Sequence, residues 1–361
     1  MRRAGVTRKR RQRNRSGRTD SWRPPRPSQS PTTRTRGDVV TPSSYDEATF
    51  AEIVERHRRE LRVHCYRMLG SFEDAEDMVQ EAILRAWRRR STFEGRSTFR
   101  SWLYRIATNV CLDHLGRHPR QPTSRPGGGP PEVTWLQPFP DRLLEPVAPV
   151  EDEPDAALVS KETLELAYLV ALQHLPPRQR AVLVLRDVVG WPASDTAAAL
   201  EMTVASVKSA LQRARATLRR HLPEARHEWQ ASQATAEEQA LLQRFVEANE
   251  RADLAVLAEM VREDAWQTMP PDPIWFNGRA AMLEMWGAAM TGPEAMGEWR
   301  LLPTFANRQP AAANYLRAPG DSVYRASNLD VLRIEDGLIA EITTFSPDLF
   351  AAFGLPETLP A

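Results

Sequence analysis

Apolar residues recur at helix-face spacing up to about residue 222 and with strand-like alternation beyond it. Ala75, Met78, Val79, Ala82, Ile83, Ala86 and Trp87 follow the i, i+3, i+4, i+7 series of one helix face. Ser71 stands at the N-cap position, and Glu73, Asp74, Glu76 and Asp77 place negative charge at the positive end of the helix dipole. Phe99, Trp102, Leu103, Ile106, Ala107, Val110 and Cys111 repeat the pattern, so Cys111 reads as a small core residue. The pattern stops over 119–156, a proline-rich linker with a Gly127-Gly128-Gly129 run. Within it, Trp135-Leu136-Gln137-Pro138-Phe139-Pro140 is too apolar for a free spacer and is expected to dock.

Helical periodicity resumes at Leu164, Ala167, Tyr168, Ala171, Leu172 and Leu175. Pro176-Pro177 closes that helix and opens the next, 178–189. A short helix (192–200), a tight turn at Glu201-Met202-Thr203 and a longer helix (204–221) give helix-turn-helix spacing. Two short helices (237–249 and 253–262) then lead into strand-like pieces at 265–269, 299–305, 312–317, 323–334 and 338–345. Glu335-Asp336-Gly337 between the last two is a hairpin turn signal. The expected fold is multidomain: two all-α helical domains followed by an α+β domain whose curved sheet encloses something. The expected divisions are a tail (1–43), a first helical domain (44–118), the linker (119–156), a helix-turn-helix domain (157–225) and the α+β domain (235–350).

Charge separates these modules further. The net charge of +1 over 361 residues hides a head, residues 1–36, with 13 Lys and Arg against one acid, Asp20. Residues 235–361 carry 9 Arg against 19 acids. The head has too few large apolar residues to offset chain entropy and is expected to be disordered. It reads as a solvated tail, as a stretch upstream of the true start, or as an arm that attracts nucleic-acid phosphates. No apolar run approaches the roughly 20 residues a bilayer requires, and the basic N-terminus lacks the hydrophobic stretch of a secretory signal, so a cytoplasmic protein without a membrane partner is expected. Two cysteines, Cys65 and Cys111, exclude a disulfide scaffold and a cysteine zinc finger. No metal or cofactor is expected.

The stretch Asp74-Ala75-Glu76-Asp77-Met78-Val79-Gln80-Glu81, followed by 93–115, resembles region 2 of bacterial sigma-70 factors of the extracytoplasmic-function group. Residues 161–222, with Pro176-Pro177-Arg178-Gln179-Arg180, resemble sigma region 4, and 235–350 resemble a cone-shaped SnoaL-like domain, as in the subset of these factors with such an extension. The resemblance implies a protein that binds core RNA polymerase, through the clamp of the β′ subunit and the β flap, and reads the −35 and −10 elements of promoter DNA.

The residue chemistry at each surface is compatible with those roles. Opposite the apolar stripe of the 72–90 helix lie Glu73, Asp77, Gln80, Glu81 and Leu84, an exposed Leu among acids suited to a partner helix that brings arginines; the plain alternative is a solvated acidic face. Holding an unstacked −10 strand takes cations and shaped polar pockets. Arg96, Ser97, Arg100, Arg105, Thr108 and Asn109 offer those types, while the periodicity of Phe99 and Trp102 assigns them to the core. On the 204–221 helix, Val204, Val207, Leu211, Ala214 and Leu218 point inward. Thr203, Ala205, Ser206, Lys208, Ser209, Gln212 and Arg213 lie on or beside the outward face, and no acid occurs from Met202 to Pro223. Small residues at its start permit close entry into a major groove, and Gln or Arg can pair bidentately with bases. Glu201 occupies a turn position where many sigma factors carry Gly.

In the C-terminal domain, Trp266, Trp275, Trp286, Phe305 and Tyr315 are candidates for a cavity holding a small apolar ligand, although aromatics at such spacings more often form core. Catalysis is not expected. No histidine follows His227, and Asp264 and Asp330, the acids placed near inward strand positions, come with no evident partner that would tune them. An acidic domain tethered to a DNA-binding module is better suited to regulate it by intramolecular contact, which the 135–139 segment is placed to mediate. A ligand-responsive helix-turn-helix regulator that never serves polymerase is the alternative, and an isomerase or cyclase ranks below it.

Overall fold

The first three helices are α1 (Glu47–Leu69), α2 (Phe72–Arg88) and α3 (Phe99–Arg117). The computed structural model describes residues 47–93, 98–124, 131–144, 164–222 and 234–361. Ser71 caps α2, its Oγ accepting the Asp74 amide at 3.2 Å, and Thr98 caps α3 through the Ser101 amide at 3.1 Å. Ala75, Val79, Ala82 and Ala86 are buried along one face of α2. Cys65 and Cys111 are buried free thiols in the same core.

The second helical group is α4 (Leu166–Gln173), α5 (Pro177–Leu183), α6 (Ala193–Leu200) and α7 (Val204–His221), with a π turn, Val184–Val188, prolonging α5. The turn between α6 and α7 closes with Glu201 in the left-handed region (φ 53°, ψ 47°). Thr203 caps α7, and Val207, Ala210, Leu211 and Ala214 form its buried stripe. Val204, expected inward, is instead 41% exposed, because burial of α7 begins one turn later.

The chain then forms α8 (Ala236–Glu250), α9 (Leu254–Met260), β1 (Val261–Thr268), β2 (Trp275–Asn277), α10 (Arg279–Met290), β3 (Glu298–Ala306), β4 (Gln309–Arg317), β5 (Val323–Glu335), β6 (Leu338–Phe345), α11 (Phe350–Phe353) and β7 (Thr358–Pro360). The sheet runs β2-β1-β6-β5-β4-β3, with β7 on the far part of β5; β1 and β6 are parallel and the other pairs antiparallel. Asp336 (φ 51°) and Gly337 (φ 76°) make the β5–β6 turn, as their sequence signals. The 279–290 helix and the two short strands β2 and β7 are additions to the sequence reading.

Both faces of this sheet are covered. Ala265, Ala312, Leu332 and Ile342 pack against α8, α9 and α10. Ala311, Ala313, Tyr315 and Val331 belong instead to the core shared with the helical groups. The 131–144 segment lies within that shared core, with Phe139 fully buried between Tyr66 (5.0 Å between ring centroids) and Phe72 (5.4 Å). No helix among the described residues is long and apolar enough to cross a membrane.

Candidate functional site

On α2, Asp77 and Gln80 are exposed, Leu84 is 49% exposed, and Glu81 is half-buried where it accepts a hydrogen bond from Arg85 Nε at 2.7 Å. These four stand together on the face opposite the buried stripe. Glu73, at the start of the helix, is already engaged: Gln137 Nε2 donates to its carboxylate at 2.7 Å, and its amide donates to Gln137 Oε1 at 3.0 Å.

The α3 candidates divide. Arg105 is exposed and Asn109 half-buried. Arg100 is held inward, its Nε donating to Glu60 at 2.6 Å with its guanidinium over the Tyr104 ring. Thr108 is fully buried; its hydroxyl donates to the Tyr104 carbonyl at 2.7 Å and accepts from His64 Nε2 at 2.8 Å. Burial, together with the nearby Arg67 and Arg100 charges, holds His64 neutral, its imidazole pushed down to about 3. Arg100 and Thr108 therefore serve the helical core and are withdrawn as DNA contacts. Arg96 and Ser97 lie outside the described residues. Phe99 and Trp102 pack together (5.5 Å) and each meets Phe93, so they are core as their spacing implies.

On α7, Thr203, Ala205, Ser206, Lys208, Ser209, Gln212 and Arg213 are all exposed and form one continuous surface. Arg213 donates to Ser209 Oγ at 2.6 Å, and Thr203 to Ser206 Oγ at 2.8 Å, which pre-orders the polar side chains. Behind this face Arg215 grips Asp187 with two bonds of 2.7 and 2.6 Å, fixing α7 to the π turn.

The five aromatic candidates of the C-terminal domain do not converge. Trp286 faces α8 and donates to Gln267 Oε1 at 3.0 Å, and Phe305 packs at the edge of the same core. Tyr315 faces the helical groups instead, against Phe350, with its hydroxyl donating to the Pro356 carbonyl. Trp266 borders a groove on that second side, and Trp275 sits on the short edge strand β2. The acids also differ from expectation, because both have partners. Asp264 is exposed and paired with Arg262. Asp330 is buried and accepts from Thr344 (2.7 Å), Asn314 (2.7 Å) and Asn328 (3.1 Å); burial raises its carboxyl despite these bonds.

Apart from the 135–139 segment, the residues that join the modules carry no signal in the sequence beyond that of a turn. The β3–β4 turn, Asn307-Arg308, has both residues at positive φ (57° and 63°), the geometry of a two-residue hairpin. Its tip enters the helical core. Asn307 Nδ2 donates to the Tyr66 hydroxyl (2.9 Å) and the Leu164 carbonyl (2.7 Å), and its Oδ1 accepts the Phe139 amide (2.7 Å). Tyr66 in turn donates to the Gln137 carbonyl at 2.7 Å. Asp141 accepts the Arg308 amide at 2.9 Å, and Gln309 accepts the Leu166 amide at 2.9 Å. One turn thus binds the first helical group, the linker and the second helical group. The helical groups also meet directly: buried Arg180 of α5 donates to the Met68 carbonyl of α1, and to the Gln173 and Leu175 carbonyls at 3.0 and 3.1 Å.

Three family models match the chain in order: sigma-70 region 2 over residues 53–121, sigma-70 region 4 over 165–218 and a SnoaL-like domain over 242–342. The chain is 39% identical over 330 residues to the ECF RNA polymerase sigma factor SigG of Mycobacterium tuberculosis (strain ATCC 25618 / H37Rv), spanning 88% of this chain and 87% of that protein. It is 34% identical over 177 residues to the ECF RNA polymerase sigma factor SigM of the same strain, spanning 49% of this chain and 79% of that protein. Among solved structures, the extracytoplasmic function sigma factor SigJ of Mycobacterium tuberculosis shares the fold, with a TM-score of 0.52 at 22% identity over 86% of this chain and all of that one.

Proposed function

The chain belongs to the extracytoplasmic-function sigma factors, and from that premise we propose how its surfaces divide the work of starting transcription. As a sigma factor it binds RNA polymerase and directs initiation at promoter DNA. The exposed α2 face, Asp77, Gln80, Glu81 and Leu84 with Glu73 at its edge, docks on the β′ clamp, where an apolar centre ringed by acids suits a basic partner helix. Arg105 and Asn109, with Arg96 and Ser97 ahead of α3, hold the −10 strand. The surface from Thr203 to Arg213 enters the major groove at the −35 element, and the second helical group meets the β flap.

The C-terminal domain regulates these surfaces and does not turn over a substrate. The observation that supports regulation is the Asn307 turn, which ties both helical groups to the linker. Elements named −35 and −10 lie about 25 base pairs apart, or ~85 Å at 3.4 Å per pair. In the tied arrangement Tyr104 of α3 and Trp191, just ahead of α6, have ring centroids 6.2 Å apart, and α7 is only ~27 Å long at 1.5 Å per residue. The helical groups must separate before both elements can be read, so the tied form is the resting state. Asp330 serves this fold as a structural carboxylate, with three donors satisfying it. Promoter-dependent transcription by core polymerase with the full chain, compared with variants of the turn, tests the reading; equal activity and promoter preference in all of them would contradict regulation by this contact.

A further inference from the structure

A groove of about 430 Å³ lies between the sheet face turned toward the helical groups and the helices of the second group. That volume is within the range of small-molecule sites. One wall is apolar: Leu136 of the linker, Leu166 and Val170 of α4, with Trp266 of β1 at the opposite side. The charged residues of the sheet wall satisfy one another, Arg262 with Asp264 (2.9 Å) and Glu335 (3.3 Å), and Arg333 with Glu335 and Glu341 (3.0 Å). Arg220, at the C-terminal end of α7, is different. Its guanidinium donates to the Thr217 hydroxyl at 3.1 Å, and no carboxylate among the described residues pairs with it.

An apolar wall, an aromatic ring and one cation with donors to spare complement a molecule with an apolar body and a single negative group. We propose that this groove is a binding site for an amphipathic organic anion, a carboxylate or sulfonate on an aromatic or alicyclic body. The site is distinct from the interior of the cone, which lies on the other face of the sheet around Trp286 and Gln267. Because its walls come from the linker, α4, α7 and the sheet together, the site is complete only while the modules are tied. This part of the inference rests on the resting-state reading above. An occupant therefore favours the tied form, and by linkage, opening of the modules releases it.

The test uses the full chain without polymerase or DNA, so its outcome is independent of whether transcription is regulated. 8-Anilinonaphthalene-1-sulfonate is titrated and its fluorescence followed, alongside N-phenyl-1-naphthylamine, which has the same body without the charge. The expected result is saturable binding at one site, about tenfold tighter for the sulfonate. Arg220→Glu, at an exposed position, removes that preference. Ala167→Phe, on the groove side of α4, blocks both dyes. Non-saturable binding, equal affinity for the two dyes, or sulfonate binding unchanged in both variants overturns the proposal.

Discussion

The Asn307 side chain donates to the Tyr66 hydroxyl at 2.9 Å, linking a turn of the C-terminal sheet to the first helix of the protein across 241 residues of sequence. Both groups are fully buried, and each makes further bonds to the linker, so this contact cannot be lost without exposing or orphaning several polar atoms. Tyr66→Phe removes the hydroxyl and leaves the Gln137 carbonyl without its donor. A loss of roughly 1–3 kcal/mol from the tied form is expected. Hydrogen exchange at the Gln137, Phe139 and Asn307 amides should accelerate while the α2 interior stays protected; unchanged exchange at all three would show that the hydroxyl holds nothing.

The α2 face gives a separable prediction. Asp77 and Gln80 are exposed and Leu84 is half in solvent, so Asp77→Arg and Leu84→Ala should alter stability by no more than about 0.5 kcal/mol. Each should weaken binding to core polymerase by about tenfold or more, the usual cost of truncating or reversing a central interface residue. A titration against labelled core polymerase measures this, and full-strength binding of the double variant would remove α2 from the interface.

Asp141 should make the tied form pH-dependent. Burial raises its carboxyl from 3.8 to about 6, against the favourable bond from the Arg308 amide. The folded value lies above the unfolded one, so the tied form binds the extra proton between about pH 4 and 6. Its stability therefore increases as pH falls through 6, by roughly 1–2 kcal/mol after allowing for partial exposure. Asp141→Asn should abolish this dependence and tighten the tied form at pH 7. Linker exchange or proteolysis measured from pH 5 to 8 gives the comparison, and a slope of the same size in the variant would assign it to another group.

Glu201 sits at φ 53°, a conformation that L side chains enter at a cost. Glu201→Gly should stabilise the helix-turn-helix by roughly 0.5–1 kcal/mol, with no change in the exposed α7 surface. Thermal denaturation checks this; a destabilised variant would mean that the Glu201 side chain contributes contacts outweighing its backbone strain.

Much of the fold was legible because periodicity reports burial directly. The stripes of α2 and α3, the exposed face of α7 and the Asp336-Gly337 hairpin follow from spacing and turn chemistry alone. The 279–290 helix was not, since Met282 and Trp286 are its only buried residues and the rest lacks a clear stripe. Site residues failed where one periodicity served two masters. Thr108 lies on the polar flank of α3 by sequence, yet its neighbours bury it beneath His64 and Tyr104. The apolar Trp135–Phe139 segment signalled docking but not its partner, which is set by Asn307, a residue whose local signal is only that of a turn. Contacts between modules leave little trace in local patterns, so the joint between them became visible only in three dimensions.

The most direct measurement is run-off transcription from a promoter library by core polymerase with the full chain and with Asn307→Gly. Glycine keeps the positive φ of the turn while deleting the bonds to Tyr66, Leu164 and Phe139. The expected result is initiation at sites sharing two spaced elements, about tenfold or more stronger with the variant. Initiation of equal strength and promoter choice from both proteins would contradict restraint by the C-terminal domain, and the absence of two-element initiation from either would contradict the assignment of the promoter-reading surfaces.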